Sequence, residues 1–186
     1  IAIGRDQTAR LMRAAGMGDR SWEYALFVSD APNAFVLPSG KVGVTTSLLA
    51  LVQNDDQLAA VLGHEAGHVV AHHAAERYSQ NAATSVVLSG VQGAAGDYAK
   101  AAGAVGGLGA QLGVLLPFSR RHELEADRLG VDYMQAAGYR PSESIALWRL
   151  MAQQRQTSVP QFASTHPSDS TRIQALTDYI ASKGWN

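Results

Sequence analysis

His64 and His68 stand four residues apart with Glu65 beside the first, and no other feature constrains this chain as much. On an α-helix, side chains four apart leave the same face, so both imidazoles can reach one metal ion. Glu65 then falls beside the position such a site leaves open, where a carboxylate can take a proton from water. The flanking sequence supports a helix: Leu58, Val61, Leu62, Glu65, His68, Val69 and His72 recur at spacings of three and four. Asn54 and Asp55 offer caps, and Gln57 occupies the capping-box position counted from Asn54. The pattern predicts one helix from about Asp55 to Ser79.

A catalytic metal needs a third protein ligand and leaves its fourth position for water or substrate. Glu123 and Glu125, in the run Arg121-His122-Glu123-Leu124-Glu125-Ala126-Asp127, are the candidates. Helical geometry separates them, because Asp127 shares a face with Glu123 whereas Glu125 points nearly the opposite way. Glu123 is therefore read as the ligand. Asp127 is read as the acceptor of a hydrogen bond from the free ring nitrogen of a ligand histidine, which fixes its tautomer and orientation. Ala126 and Gly130 on this face, and Gly63 and Gly67 on the other helix, are small enough to let the helices approach closely. The bland alternative for the acidic run is a solvated helix face.

With 186 residues the chain fits one domain, 1–186, that buries a core without disulfides. A hydrophobic share of 46% with only 7% aromatic residues suits an alanine-rich, mainly helical fold. The net charge of −1 argues against nucleic acid or an anionic surface as a bulk partner. There is no cysteine, which excludes thiolate metal sites and a cysteine nucleophile. The chain opens on Ile1 with no signal-peptide pattern, as expected of a processed or trimmed fragment. No stretch reaches the roughly 18–20 apolar residues that cross a bilayer. Ala101 to Phe118 comes nearest and is interrupted by glycines, Gln111 and Pro117; it reads as a buried or mobile segment near the site, with peripheral membrane contact as the alternative.

Around the central helix, Ile3 to Met17 reads as a helix with Leu11 and Met12 on its apolar face, and Trp22 to Ser29 as a strand. Asn33-Ala34-Phe35-Val36-Leu37, the turn Pro38-Ser39-Gly40, and Lys41 to Thr45 form a hairpin signal. Arg121 to Ala137 reads as a helix stopped by Gly138 and Pro141, followed by a helix from Ser142 to Gln156. Ser168 caps a last helix through Ile173, Leu176 and Ile180. The glycine-rich stretch from Ser89 to Gly113 receives no assignment. The fold class is α+β, mainly helical, with a small antiparallel or mixed β-sheet beside the metal-site helix.

The motifs together resemble metallopeptidase family forty-eight. The likeness runs from Asn33-Ala34-Phe35 with Pro38-x-Gly40-Lys41, through His64-Glu65-x-x-His68 and Glu123-x-x-x-Asp127, to Thr165-His166-Pro167 with Arg172-Ile173. It implies a zincin-like (gluzincin) fold with one zinc ion per chain and peptide-bond hydrolysis. The soluble BepA- and LoiP-type branch is nearest, which implies a periplasmic setting at the outer membrane, unfolded or misassembled polypeptide substrates, and a possible assembly-machinery partner. The resemblance also gives His166 an active-site role, either closing the open position or stabilising an oxyanion. Arg172 follows as a support residue or as an ordinary helix salt bridge.

Asn33, Ala34 and Phe35 can form an edge strand above the active helix, to which an extended peptide adds through main-chain bonds. His72 and His73 read as packing or surface residues, since ligands strung over two turns of a straight helix cannot converge on one ion. His122 is left open between surface and support. The expected function is zinc endopeptidase action by activated water, with Glu65 as base. The alternative is a chaperone or assembly factor for outer-membrane proteins whose metal site is structural or shut.

Overall fold

The computed structural model describes residues 2–79, 119–154, 166 and 170–185. Helix α1 (Ala2–Ala14) comes first, followed by strands β1 (Glu23–Phe27), β2 (Ala34–Leu37) and β3 (Lys41–Thr45). Helices α2 (Thr46–Leu51), α3 (Asp55–Val70), α4 (Arg120–Ala136), α5 (Ser142–Gln154) and α6 (Ser170–Ser182) complete it. The sheet is small and mixed, in the order β1-β3-β2. β2 and β3 form the expected antiparallel hairpin, pairing Ala34 with Val44 and Leu37 with Lys41, while β1 runs parallel to β3. Gly40 closes the hairpin at φ +87, and a Cβ there would lie 2.5 Å from the Ser21 carbonyl oxygen.

The core is built around α3. All of its residues from Gln57 to Val69 are buried, so its apolar stripe widens into a helix enclosed on every side. Leu11 and Met12 of α1 pack into the same core, as do Met134, Leu147, Trp148, Leu176 and Ile180 from the later helices. Asn54 caps α3 by accepting from the Gln57 backbone N–H at 2.9 Å. The Gln57 side chain reaches back one residue further than a standard capping box, accepting from the Gln53 N–H at 3.0 Å. Asn54 and Gln57 both donate to Glu143, which ties the start of α3 to α5. α4 ends as its sequence indicates: Gly138 takes φ +77, and Tyr139 N–H donates to the Met134 carbonyl at 2.9 Å.

One expectation fails. The predicted helix from Asp55 to Ser79 stops at Val70, capped by Ala71, and His72 takes φ 57 before residues 73–79 become helical again. A left-handed residue inside a helical pattern turns the axis, so the second segment is aimed differently from the first. Ser168, Ser89 to Phe118 and the last two residues of the predicted Ser142–Gln156 helix lie outside the described residues.

α3 and α4 touch backbone to backbone. A Cβ at Gly63 would lie 2.9 Å from the Gly130 carbonyl oxygen, and one at Gly67 2.9 Å from the Ala126 carbonyl oxygen. A Cβ at Gly130 would meet the His64 backbone nitrogen at 2.8 Å, with no flexible side chain to give way. Gly130→Ala is therefore expected to destabilise the domain by about 1–3 kcal/mol. Denaturant unfolding of the variant beside wild type measures it.

Candidate metal centre

The close approach of α3 and α4 brings their functional side chains to one point. His64, His68, Glu123 and His166 each offer a ligand atom, and these atoms lie within 4.8 Å of one another, all buried. His64 Nε2 stands 3.1 Å from His68 Nε2 and 3.2 Å from His166 Nδ1. Glu123 Oε1 lies 3.0 Å from His166 Nδ1 and 3.4 Å from His68 Nε2. Glu65 is buried at the same place, its Oε1 3.4 Å from His166 Nε2.

The outer partners fix how the two α3 histidines face inward. His64 Nδ1 donates to Asp127 Oδ1 at 2.9 Å, leaving a lone pair on Nε2. His68 Nδ1 stands 2.9 Å from His73 Nδ1, away from the centre. With that proton also turned outward, two imidazole lone pairs face each other across 3.1 Å. In the metal-free chain a proton on His64 Nε2 bridges that gap, and a metal ion can take its place, since two imidazoles with a carboxylate are the donors a catalytic divalent metal takes.

Arg172 holds the carboxylates from behind. Its Nε and Nη2 donate to the two oxygens of Asp127 at 2.5 and 2.8 Å, and Nη1 lies 2.6 Å from Glu123 Oε2. The guanidinium is 4.6 Å from the Trp148 ring centroid, and that ring meets His64 edge-on at 5.3 Å. Asp127 is buried, which pushes its carboxyl up, but Arg172 and His64 outweigh burial and hold it below the ordinary range. Glu123 follows the same pattern: burial raises it, and bonds from His166, His64 and His68 bring it well below. Burial wins at Glu65, whose carboxyl is pushed up. Burial, then His64 and His166, press His68 down to about 2. Burial and Arg172 also press on His64, but Asp127 and Glu123 prevail and raise it to about 9.

Asn33, Ala34 and Phe35 lie on the far side of a cleft of about 320 Å³ whose floor includes Glu65, His68 and His166. β2 is the last strand of the sheet among the described residues. Two neighbours of the centre are placed more sharply than the sequence could place them. His73, read as packing or surface, is 1% exposed and packed against His68. His122, left open, is buried and stacked on His73 at 4.4 Å. Their signal was hidden because only the left-handed turn at His72 brings residue 73 back toward the metal face. Burial, then His122, keeps the His73 imidazole below its ordinary value. His72 is exposed at the cleft rim, as its surface reading holds.

A buried metal-ligand cluster on two glycine-lined helices, with a glutamate beside it and a strand edge above, defines a metallopeptidase type of domain. The chain belongs to peptidase family M48, whose family model matches residues 5–180. It is 38% identical over 173 residues to the mitochondrial metalloendopeptidase OMA1 of Schizosaccharomyces pombe, covering 92% of this chain and 50% of that protein. It is 37% identical to the protein of that name from Saccharomyces cerevisiae, covering 81% of this chain and 44% of the relative. With the β-barrel assembly-enhancing protease of Escherichia coli it shares 32% identity, over 88% of this chain and 35% of that protein. The chain thus spans half or less of the length of these relatives.

The raised His64 value sets a proton balance. The protonated ring contributes stability to the metal-free chain in full below pH 6.5, and that contribution is lost as pH rises through about 9. A metal bound through His64 Nε2 would displace this proton. Titration calorimetry at pH 7 in buffers of differing ionisation heat is expected to show about one proton released per ion bound, falling away above the His64 value.

Proposed function

We propose that this chain is a zinc endopeptidase domain in which His64, His68 and Glu123 hold one zinc, Glu65 is the base and His166 is a gate. The observation that carries the reading is Glu65, buried with its carboxyl pushed up, beside the ligand cluster and open to the cleft under β2. Two imidazoles and a carboxylate suit zinc, which when bound supplies a Lewis acid that brings water toward ionisation at neutral pH. Glu65 takes a proton from the attacking water and passes it to the leaving amine. A substrate in extended conformation joins the outer edge of β2 at Asn33, Ala34 and Phe35 through main-chain bonds, which makes little demand on its sequence. Asp127 holds the His64 ring, and Arg172 keeps both Asp127 and Glu123 in place.

His166 lies against Glu65, Glu123 and His64, where a scissile peptide has to be. It must swing aside for substrate to enter, and a displaced imidazole at the rim can then stabilise the oxyanion. That position also favours the second reading, a chaperone or assembly factor for outer-membrane proteins whose metal site stays shut. For the setting we infer the periplasm, associated with the outer membrane, in envelope protein quality control. Unfolded or misassembled polypeptides are the substrates of this reading, with an assembly-machinery partner and peripheral membrane contact. The β-barrel assembly-enhancing relatives support that setting, and the mitochondrial relatives support an organellar one instead. Among the described residues no helix is long and apolar enough to cross a membrane.

Casein digestion separates the readings. Glu65→Gln is expected to abolish cleavage while zinc stays bound, and His166→Ala to raise it above wild type. Cleavage by neither wild type nor His166→Ala, with zinc present, moves the assignment to the shut-site factor. Elemental analysis is expected to find about one zinc per chain in wild type and none in Glu123→Ala.

A further inference from the structure

Asp127 holds the His64 ring from behind the metal face. His68 presents Nε2 to the cluster and turns Nδ1 away from it, where His73 Nδ1 stands at 2.9 Å. His73 is 1% exposed and is gripped on both sides: Glu125 of α4 lies 3.5 Å from its Nε2, and the His122 ring stacks on it at 22° between planes. In an unbroken helix, residue 73 would sit about 140° around from residue 68 and could not reach it. The chain instead accepts a left-handed residue at His72, φ 57, an arrangement unfavourable to a side chain with a Cβ. That break is what delivers the His73 ring to the back of His68.

We propose that His73 is the positioning residue for the metal ligand His68: its Nδ1 accepts the His68 Nδ1–H, leaving its own Nε2–H directed to Glu125. The bond fixes the tautomer in which His68 Nε2 carries a lone pair for the metal, as Asp127 does for His64. The two ligands are supported differently. His64 leans on a carboxylate paired with Arg172, and His68 on a neutral ring, which withdraws its proton less. Glu125, which points away from the metal face, thereby acts behind His73. This inference rests on the metal role proposed for His68.

The test measures zinc affinity by chelator competition, together with the visible spectrum of the cobalt-substituted protein. His73→Leu fills the space but cannot accept, and is expected to bind zinc about 10–100-fold more weakly with a shifted cobalt spectrum. His73→Asn places an oxygen near the Nδ1 position and is expected to recover affinity to within about threefold of wild type. A folded His73→Leu protein with wild-type affinity and spectrum overturns the proposal, as does failure of His73→Asn to exceed His73→Leu. If His73→Leu does not fold, ring-nitrogen NMR of zinc-loaded wild type decides. His68 must then carry its proton on Nδ1 and His73 on Nε2, and a His73 proton on Nδ1 overturns the assignment. A wild type that takes up no zinc overturns the proposed function and this inference with it, whereas zinc uptake insensitive to His73 overturns only the inference.

Discussion

The contact on which the rest of this structure depends is the backbone-to-backbone approach of α3 and α4. Gly63 and Gly67 on one helix and Gly130 on the other carry no Cβ at the contact, and main-chain atoms, carbonyl oxygens among them, occupy most of the space. Side chains at such an interface would repack under strain, but main chains do not. His64 and His68 therefore face Glu123 and Asp127 at separations set by the two helix axes. The caps reinforce this. Asn54 and Gln57 pin the start of α3 to Glu143, and the Gly138 turn fixes where α4 ends.

From that contact outward the centre is built in shells of decreasing charge. Glu123 and Asp127 are buried anions that burial alone would neutralise; Arg172, itself 1% exposed, keeps Asp127 ionised, and the bonds from His166, His64 and His68 do the same for Glu123. Trp148 backs both the guanidinium and His64, so the polar network rests on an apolar wall. On the open side the cleft meets β2, the last strand of the sheet among the described residues, and His166 stands between strand and cluster.

Much of this was legible from local spacing. His64 and His68 share a helix face, Asp127 follows Glu123 by one turn, and the glycines mark the close approach; each is a statement about one helix, where periodicity carries the information. The Pro38-Ser39-Gly40 turn announced the hairpin, and Gly138 announced the end of α4. The parallel partner of β3 was not legible, because strand pairing between distant segments leaves no local mark. The break at His72 was hidden for a different reason: histidine enters the left-handed region more often than most residues but still uncommonly, so nothing in the run from Val69 to Ala75 signals a turn of the axis. His73 therefore stayed open between packing and surface, and His122 between surface and support. Arg172 could be placed only by resemblance, since its partners are 45 and 49 positions away on another helix.

The buried ionisable groups of the centre also have a bearing on which ions suit it. Glu123 and Asp127 are held ionised and bring two negative charges, Glu65 adds a third when it gives up its proton, and Arg172 returns one positive charge, all from buried positions. With Glu65 ionised and His64 neutral, a divalent ion balances these charges in the cluster. A monovalent ion leaves it anionic and a trivalent one leaves it cationic, each uncompensated in low dielectric. The charge balance of the pocket thus favours a divalent ion independently of coordination geometry, and the guanidinium is part of what sets it.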